Sequence, residues 1–166
     1  PVHGFQLNMT NRANRGLELF ESLLPISRQE FFEIKHDKFY SKTTDYVTYL
    51  DKIRSANFAE PSLKKAQAVI SDWDLATDQE NLSAALGTCV LLAAEKDDDR
   101  EQHSDEQVES LLNKCALRLM EARGSLTPRW GDGNRHVRGE LNLGVGGGPD
   151  ILRAVYGSGL EEDGFL

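Results

Sequence analysis

The chain has 166 residues, enough for one domain with a buried core, and a formal net charge of −8. Hydrophobic residues make up 39% and charged residues 28%, and the mean hydropathy of −0.48 indicates a well-solvated surface. The negative charge disfavours binding to a nucleic-acid backbone, and no apolar run reaches the roughly 20 residues that span a bilayer. We therefore expect no nucleic acid among the partners and no membrane span.

Residues 10–124 carry the signals of successive short helices. Thr10 is suited to cap the first helix, which the apolar spacing extends to about Leu24. Ser27 and Glu30 form a capping box, in which each side chain binds a backbone N–H at the helix start. A short second helix should follow them.

The middle of the chain contains the most apolar stretch. Apolar spacing predicts a third helix around Leu50 and a fourth that begins with Pro61, a residue favoured in the first helical turn. Thr77 and Glu80 form a second capping box ahead of the stretch Leu82–Ala94. Because this stretch is hydrophobic almost all round, we expect it to be the central buried helix.

The two cysteines lie on apolar faces of predicted helices. Cys89 is in the fifth helix, and Cys115 is in a sixth that begins after Ser104 and ends at Gly124. We expect both cysteines to act as small core residues. A disulfide between them is the alternative, and it requires antiparallel packing of the two helices and an oxidising compartment.

From about Leu126 the composition changes to glycine, arginine and aromatic residues, which predicts a return to β structure. The glycine-rich stretch Gly144–Asp150 is not expected to bind phosphate, because Pro149 lacks a backbone N–H and Asp150 adds a negative charge. We expect its glycines to permit tight turns.

Five residues of this last segment are the candidates for a site, either lining a pocket or holding structure: Trp130, Asp132, Arg135, His136 and Arg138. Alternatively, the arginines of this segment, Arg129, Arg135 and Arg138, pair with Asp132, Glu140 or more distant carboxylates. No two of the four histidines are three or four residues apart, so no metal site and no cofactor is expected. We assign no catalytic residue within this chain.

Several segments, in their order along the chain, resemble one enzyme family. They are Met9-Thr10-Asn11-Arg12, Ile26 to Phe31, the loop from Lys35 to Ser41, Ser71-Asp72-Trp73-Asp74, Trp130-Gly131-Asp132 followed by Arg138-Gly139, and Gly146 to Asp150. Together they resemble the β-subunit of penicillin acylase-type N-terminal nucleophile hydrolases, in particular acyl-homoserine lactone acylases and related long-chain amide acylases. Gly133 departs from the family, which has an apolar residue there.

The resemblance implies an acylase that cleaves the amide bond of N-acyl compounds such as acyl-homoserine lactones or β-lactam antibiotics. It implies a four-layer α+β fold, matured by self-cleavage, in which an N-terminal serine outside this chain attacks the carbonyl. Residues 1–125 would then be a helical region, mainly α over 10–124. Residues 126–166 would re-enter the sheet core of the same unit.

On this interpretation the chain alone is inactive. Its partners are the remaining segments of the acylase α- and β-subunits and a small-molecule acyl amide substrate. The family implies a periplasmic or secreted location. A second interpretation remains open, in which the chain is a non-catalytic helical protein-interaction domain.

Overall fold

The computed structural model describes residues 9–22 and 25–154, which are mostly helical and end in a two-stranded antiparallel sheet. The helices are α1 (Asn11–Ser22), α2 (Arg28–Lys35), α3 (Asp45–Ser55), α4 (Pro61–Asp72), α5 (Ala84–Glu95), α6 (Asp105–Arg123) and the single turn α7 (Trp130–Gly133), with a short 3-10 helix at Arg100–Gln102. The strands are β1 (Arg135–Arg138) and β2 (Leu141–Gly144). The prediction of a helical region followed by β structure is confirmed.

Helices α3 to α6, called the helical body below, enclose the hydrophobic core. Helix α5 is in contact with α3, α4 and α6, and its residues 84–91 are all buried. The indole of Trp73 lies directly on Gly87, where a Cβ atom would fall 2.1 Å from the ring. The prediction of a central buried helix is confirmed, although α5 begins only at Ala84 and leaves Leu82 exposed.

Local capping signals locate several helix ends correctly. Ser27 and Glu30 form the predicted capping box of α2, and Ser104 caps α6 together with Gln107. Gly124 adopts the left-handed conformation at the end of α6, with φ of 66°. These ends are set by neighbouring residues, so the sequence alone predicts them.

The predicted capping box at Thr77 and Glu80 is wrong. The backbone N–H and the hydroxyl of Thr77 both donate to the carbonyl of Lys38, at 2.9 and 2.8 Å. The side-chain oxygen of Asn81 accepts instead from the N–H of Ala84, at 2.8 Å, at the start of α5. Thr77 therefore binds a segment that is distant in sequence, and the local sequence pattern does not indicate this contact.

Cys89 and Cys115 form a disulfide between α5 and α6, with a Cα–Cα distance of 5.9 Å. The expectation that they are unpaired core residues is therefore wrong, and the alternative holds. Both are buried in the core cluster, so the bond ties two helices together from inside the helical body.

Several apolar side chains of α1 and α2 are exposed in the described part of the chain, although Ile34 of α2 is buried. Leu17 on α1 is 51% exposed, and Phe31 and Phe32 on α2 are also exposed. Hydrogen bonds from Asn11 and Arg15 of α1 attach this helix to Asp150 and Asp37, which lie in segments outside the helical body. Leu23 and Leu24, predicted to complete α1, lie outside the described residues.

The resemblance favours extended structure from Asp150 to Tyr156. The structure has turns and bends over 149–153, followed by an isolated parallel bridge between Gly148 and Ala154. Val155 and Tyr156 lie outside the described residues.

Candidate functional site

Separate segments of the chain meet beside the helical body, at a place called the junction below: Asn11, Asp37–Ser41, Trp73–Thr77, Trp130 and Gly146–Asp150. Tyr40 N–H donates to the carbonyl of Leu75 at 3.0 Å, which places the second segment beside the third. Gly147 N–H donates to the carbonyl of Thr77 at 2.9 Å, which adds the glycine-rich segment. The three extended pieces therefore lie side by side.

Asn11 holds the first helix to the junction through both ends of its amide. Its fully buried side chain donates to the carbonyl of Asp150 at 2.7 Å and accepts from Ser41 N–H at 2.8 Å and from the Thr44 hydroxyl at 3.1 Å. Its own N–H donates to the Asp150 carboxylate at 2.8 Å. Because every group is paired, this buried amide fixes three segments relative to one another.

A group of charged side chains covers one side of the junction. Arg15 binds both carboxylate oxygens of Asp37, at 3.0 and 2.9 Å, and this hydrogen bonding raises the pKa of Arg15. Burial alone would raise the pKa of Glu18, but hydrogen bonds from Ser41 and Arg15 outweigh it and lower that pKa. The group is thus a satisfied ionic network and holds structure together.

Trp130, the first of the predicted site residues, is at the centre of the junction. It is 1% exposed, and its indole N–H donates to the carbonyl of Gly147 at 2.7 Å. Asn134 also donates to that carbonyl, at 2.9 Å. The tryptophan therefore anchors the glycine-rich segment to the turn α7.

Asp132 lies at the rim, where its carboxylate accepts from Arg129 at 3.2 Å. Arg129 also contacts Glu80 at 3.3 Å, and the hydrogen bond to Asp132 is the main cause of its raised pKa. Arg129 therefore pairs with Asp132, as the alternative drawn from the sequence predicts. All three side chains are largely exposed, so these ion pairs add little stability.

Arg135, His136 and Arg138 all lie on the exposed strand β1. Arg135 is engaged locally, since its guanidinium donates to the Asn142 side chain at 2.6 Å and to the carbonyl of Gly131 at 3.0 Å. The structure therefore brings Trp130 into the junction and Asp132 to its rim. It leaves the other three along a hairpin and does not gather them around a cavity.

A cleft of about 410 Å³ opens between α3 and the segment that follows α4. It is lined by Lys42, Val47, Thr48, Asp51, Arg54, Trp73, Asp74 and Leu75. None of the five predicted site residues lines it. Arg54 donates to Asp51 at 2.9 Å, and Asp74 accepts from Ala76 N–H and from Asn81. These three charged side chains of the cleft therefore already have partners within the chain.

A side-chain relay, which has no signal in the sequence, joins the buried Tyr49 to His103 and to the partly exposed Asp97. Tyr49 Oη lies 2.8 Å from His103 Nδ1, and His103 Nε2 lies 2.8 Å from the Asp97 carboxylate. Burial, together with the charge of Asp97, raises the pKa of Tyr49 to about 12. The hydrogen bond from His103 lowers the pKa of Asp97.

The relay anchors the acidic loop after α5 to α3. Tyr49 is 3% exposed and keeps its proton at neutral pH, so it is not poised as a nucleophile. The cleft described above does not include any of the three residues. Tyr49 and His103 are 54 positions apart, and no sequence pattern indicates their contact.

Over residues 9–22 and 25–154, no group of three or more His, Cys, Asp or Glu side chains is placed to hold a metal ion. In the same part of the chain, no helix has both the length and the apolar character needed to cross a membrane. No protein-family model matches the chain, and neither does any curated protein.

Proposed function

We propose that the chain is part of the β-subunit of an N-terminal nucleophile amidohydrolase of the penicillin acylase type, which cleaves the amide bond of N-acyl compounds such as acyl-homoserine lactones or β-lactam antibiotics. Its share of the enzyme is a helical layer and the segment that leads from it into a four-layer α+β core. The nucleophilic serine belongs to a segment outside this chain.

The junction is the observation that carries this proposal. The segments that resemble the family are dispersed over more than a hundred positions, yet residues from five of them are joined by hydrogen bonds or ring contact: Asn11, Tyr40, Trp73, Trp130 and Gly147. Asn11 binds Ser41, Tyr40 meets Trp73 edge to face at 5.8 Å, and Trp130 binds Gly147. Accidental similarities would not be expected to meet at one place in the fold.

The hairpin that follows the junction also supports the proposal. Strands β1 and β2 form only a two-stranded sheet within the described residues, and Val137, Leu141 and Leu143 are 64%, 45% and 53% exposed. A two-stranded hairpin with exposed apolar side chains is marginally stable in water, whereas it is stable inside a larger covered sheet. This is the behaviour expected of a segment re-entering a sheet core.

The chemistry we propose needs no cofactor. The serine hydroxyl adds to the amide carbonyl while its own α-amine takes the proton, and oriented N–H donors stabilise the oxyanion. The amine product leaves with a proton, and water then hydrolyses the acyl ester. This chain contributes by holding the wall around that site through Trp130 and Asn11, and it carries no catalytic group.

A periplasmic or secreted location belongs to the same proposal. The disulfide between Cys89 and Cys115 supports it, because such bonds persist in oxidising compartments and are rare in reducing ones.

The exposed apolar residues of α1 and α2 favour a second candidate, a non-catalytic helical interaction domain. Leu17, Phe31 and Phe32 form open apolar surface that a partner helix would cover. The same surface is also expected of a helical layer against the rest of an acylase.

Maturation of the whole gene product separates the two candidates. We expect the protein expressed from the complete reading frame to cleave itself into two chains, the larger of which begins with serine, as measured by intact mass and N-terminal sequencing. The purified 166-residue chain should release no amine from an N-acyl-homoserine lactone or penicillin G. A gene product that remains uncleaved, or turnover by the isolated chain, contradicts the proposal.

A further inference from the structure

The hairpin has two edges, and the backbone register shows which groups each edge presents. Next to the paired strands, Val145 N–H donates to the carbonyl of Asn134 at 2.9 Å. Hydrogen-bonded and non-hydrogen-bonded pairs alternate along an antiparallel ladder. The outward N–H and C=O groups of β1 are therefore those of Arg135 and Val137, which we call the β1 edge.

The opposite edge, along β2, is already occupied. A Cβ atom added at Gly144 would lie 2.7 Å from the carbonyl oxygen of Gly131, so α7 lies directly against this end of β2. Farther along, Arg135 reaches across and donates to the carbonyl of Asn142 at 2.9 Å. A further strand would have to displace both.

The β1 edge is open. Within residues 9–22 and 25–154, no other strand pairs with β1, and the side chain of Val137 is 64% exposed. Unpaired N–H and C=O groups beside exposed apolar residues form a template for another strand.

The two faces of the hairpin differ in how their charges are satisfied. On one face, Arg135 is bound by Asn142 and Gly131. On the other, the side chains of His136 and Arg138 lie beside Leu143 and Leu141, and within the described residues the side-chain hydrogen bonds of the hairpin are made by Arg135 and not by these two. This second face therefore presents the positive charge of Arg138 beside apolar surface, on a chain whose net charge is −8.

We propose that the β1 edge pairs with an extended acidic segment of the same gene product, in which carboxylates alternate with apolar residues. One carboxylate would lie across from Arg138, where opposite charges stabilise a cross-strand pair, another would accept a hydrogen bond from the His136 imidazole N–H, and an apolar side chain would lie across from Val137. The source of the segment rests on the proposed acylase subunit, whereas its chemistry follows from the hairpin alone.

A second copy of the chain is a poorer occupant of this edge. Strand β1 contains two arginines and no carboxylate, so a second copy of β1 offers Arg138 no acidic partner, and a register that places the arginines opposite each other sets like charges together. Like charges directly opposite each other destabilise a strand pair.

The chemistry is tested with the full 166-residue chain and short capped peptides as probes. In one peptide glutamate alternates with valine, and in the other lysine replaces glutamate. We expect the glutamate peptide to protect the amides of Arg135 and Val137 from hydrogen exchange, as measured by NMR, and to bind more tightly than the lysine peptide by up to about fivefold per cross-strand pair.

A charge reversal provides the control. Arg138→Glu, on the exposed hairpin, should reduce or invert the preference between the peptides, whereas Lys65→Glu, the same reversal on α4, should leave it unchanged. Equal binding of both peptides, protection of the Asn142 and Gly144 amides, or protection that grows with protein concentration in the absence of peptide overturns the inference.

The source is tested in the intact gene product. There the amides of Arg135 and Val137 should be protected without any peptide, and exposed amides would contradict an internal strand. This readout does not depend on amide hydrolysis, so failure of the acylase proposal and failure of the edge proposal are distinguishable.

Discussion

Loss of the Cys89–Cys115 disulfide should lower the free energy of unfolding by about 3.5 kcal/mol. The bond closes a loop between residues 26 positions apart, and both cysteines are buried between α5 and α6. A cross-link of this span restricts the unfolded chain, and the logarithmic relation between loop length and entropy yields that magnitude at about 25 °C. Under the usual scaling for a chain of this size, the melting temperature should fall by roughly 7–14 °C.

Urea denaturation followed by circular dichroism, with and without a phosphine reductant, measures the effect. Reduced wild-type protein isolates the cross-link, because both sulfur atoms remain in the core. The double variant Cys89→Ala and Cys115→Ala also loses packing, and reductant should not change its unfolding curve. If oxidised and reduced wild-type protein differ by less than about 1 kcal/mol, the reasoning from loop closure is refuted.

Four further sets of variants test the packing and the polar contacts. Gly87→Ala should destabilise the protein by at least about 2 kcal/mol, because the added methyl group overlaps the Trp73 ring. The control Gly16→Ala, whose Cβ would have no atom within 4 Å, should be neutral or stabilising by up to about 1 kcal/mol. Similar urea midpoints for the two variants would contradict this expectation. Asn11→Ala should lower the free energy of unfolding by roughly 2–4 kcal/mol, because it leaves buried hydrogen-bond partners unpaired. Asn14→Ala removes one hydrogen bond of 3.4 Å and should lower it by less than about 1 kcal/mol. If thermal denaturation gives the reverse order, the role assigned to Asn11 at the junction is wrong. The lowered pKa of Asp97 stabilises the fold above its unfolded-state value, and this contribution is lost as pH falls through the folded value, so the destabilisation by Asp97→Asn should shrink in acid unfolding curves. The raised pKa of Tyr49 favours the protonated form, so its contribution to stability disappears as pH rises towards about 12. A spectrophotometric titration should show a late-titrating component that Tyr49→Phe removes, and an unchanged curve would refute this assignment.

The helices α1 to α6 and several of their ends could be predicted from the sequence, because their causes are local. The capping boxes at Ser27 and Ser104 and the left-handed Gly124 involve residues within one turn of each other. The failure at Thr77 has the opposite cause, since its hydroxyl is bound by Lys38, 39 positions away. The disulfide follows from how α5 and α6 pack, which apolar spacing does not specify.

The candidate site was predictable only in part, for the same reason. Composition singled out Trp130, and the structure gives it a central position in the junction. The sequence could not show that Asn11 would bind Asp150, 139 positions later, or that Tyr49 would meet His103. Such contacts are set by tertiary packing, so a periodicity or motif does not indicate them.

The measurement that tests the central claim most directly is amine release by the intact gene product. The protein purified from the complete reading frame is incubated with an N-acyl-homoserine lactone and with penicillin G, and the free amine is quantified with a fluorogenic reagent. We expect saturable release from at least one substrate, abolished when the serine at the self-cleavage site is replaced by alanine. A fully processed, folded protein that releases no amine from either compound would contradict the assignment to the acylases.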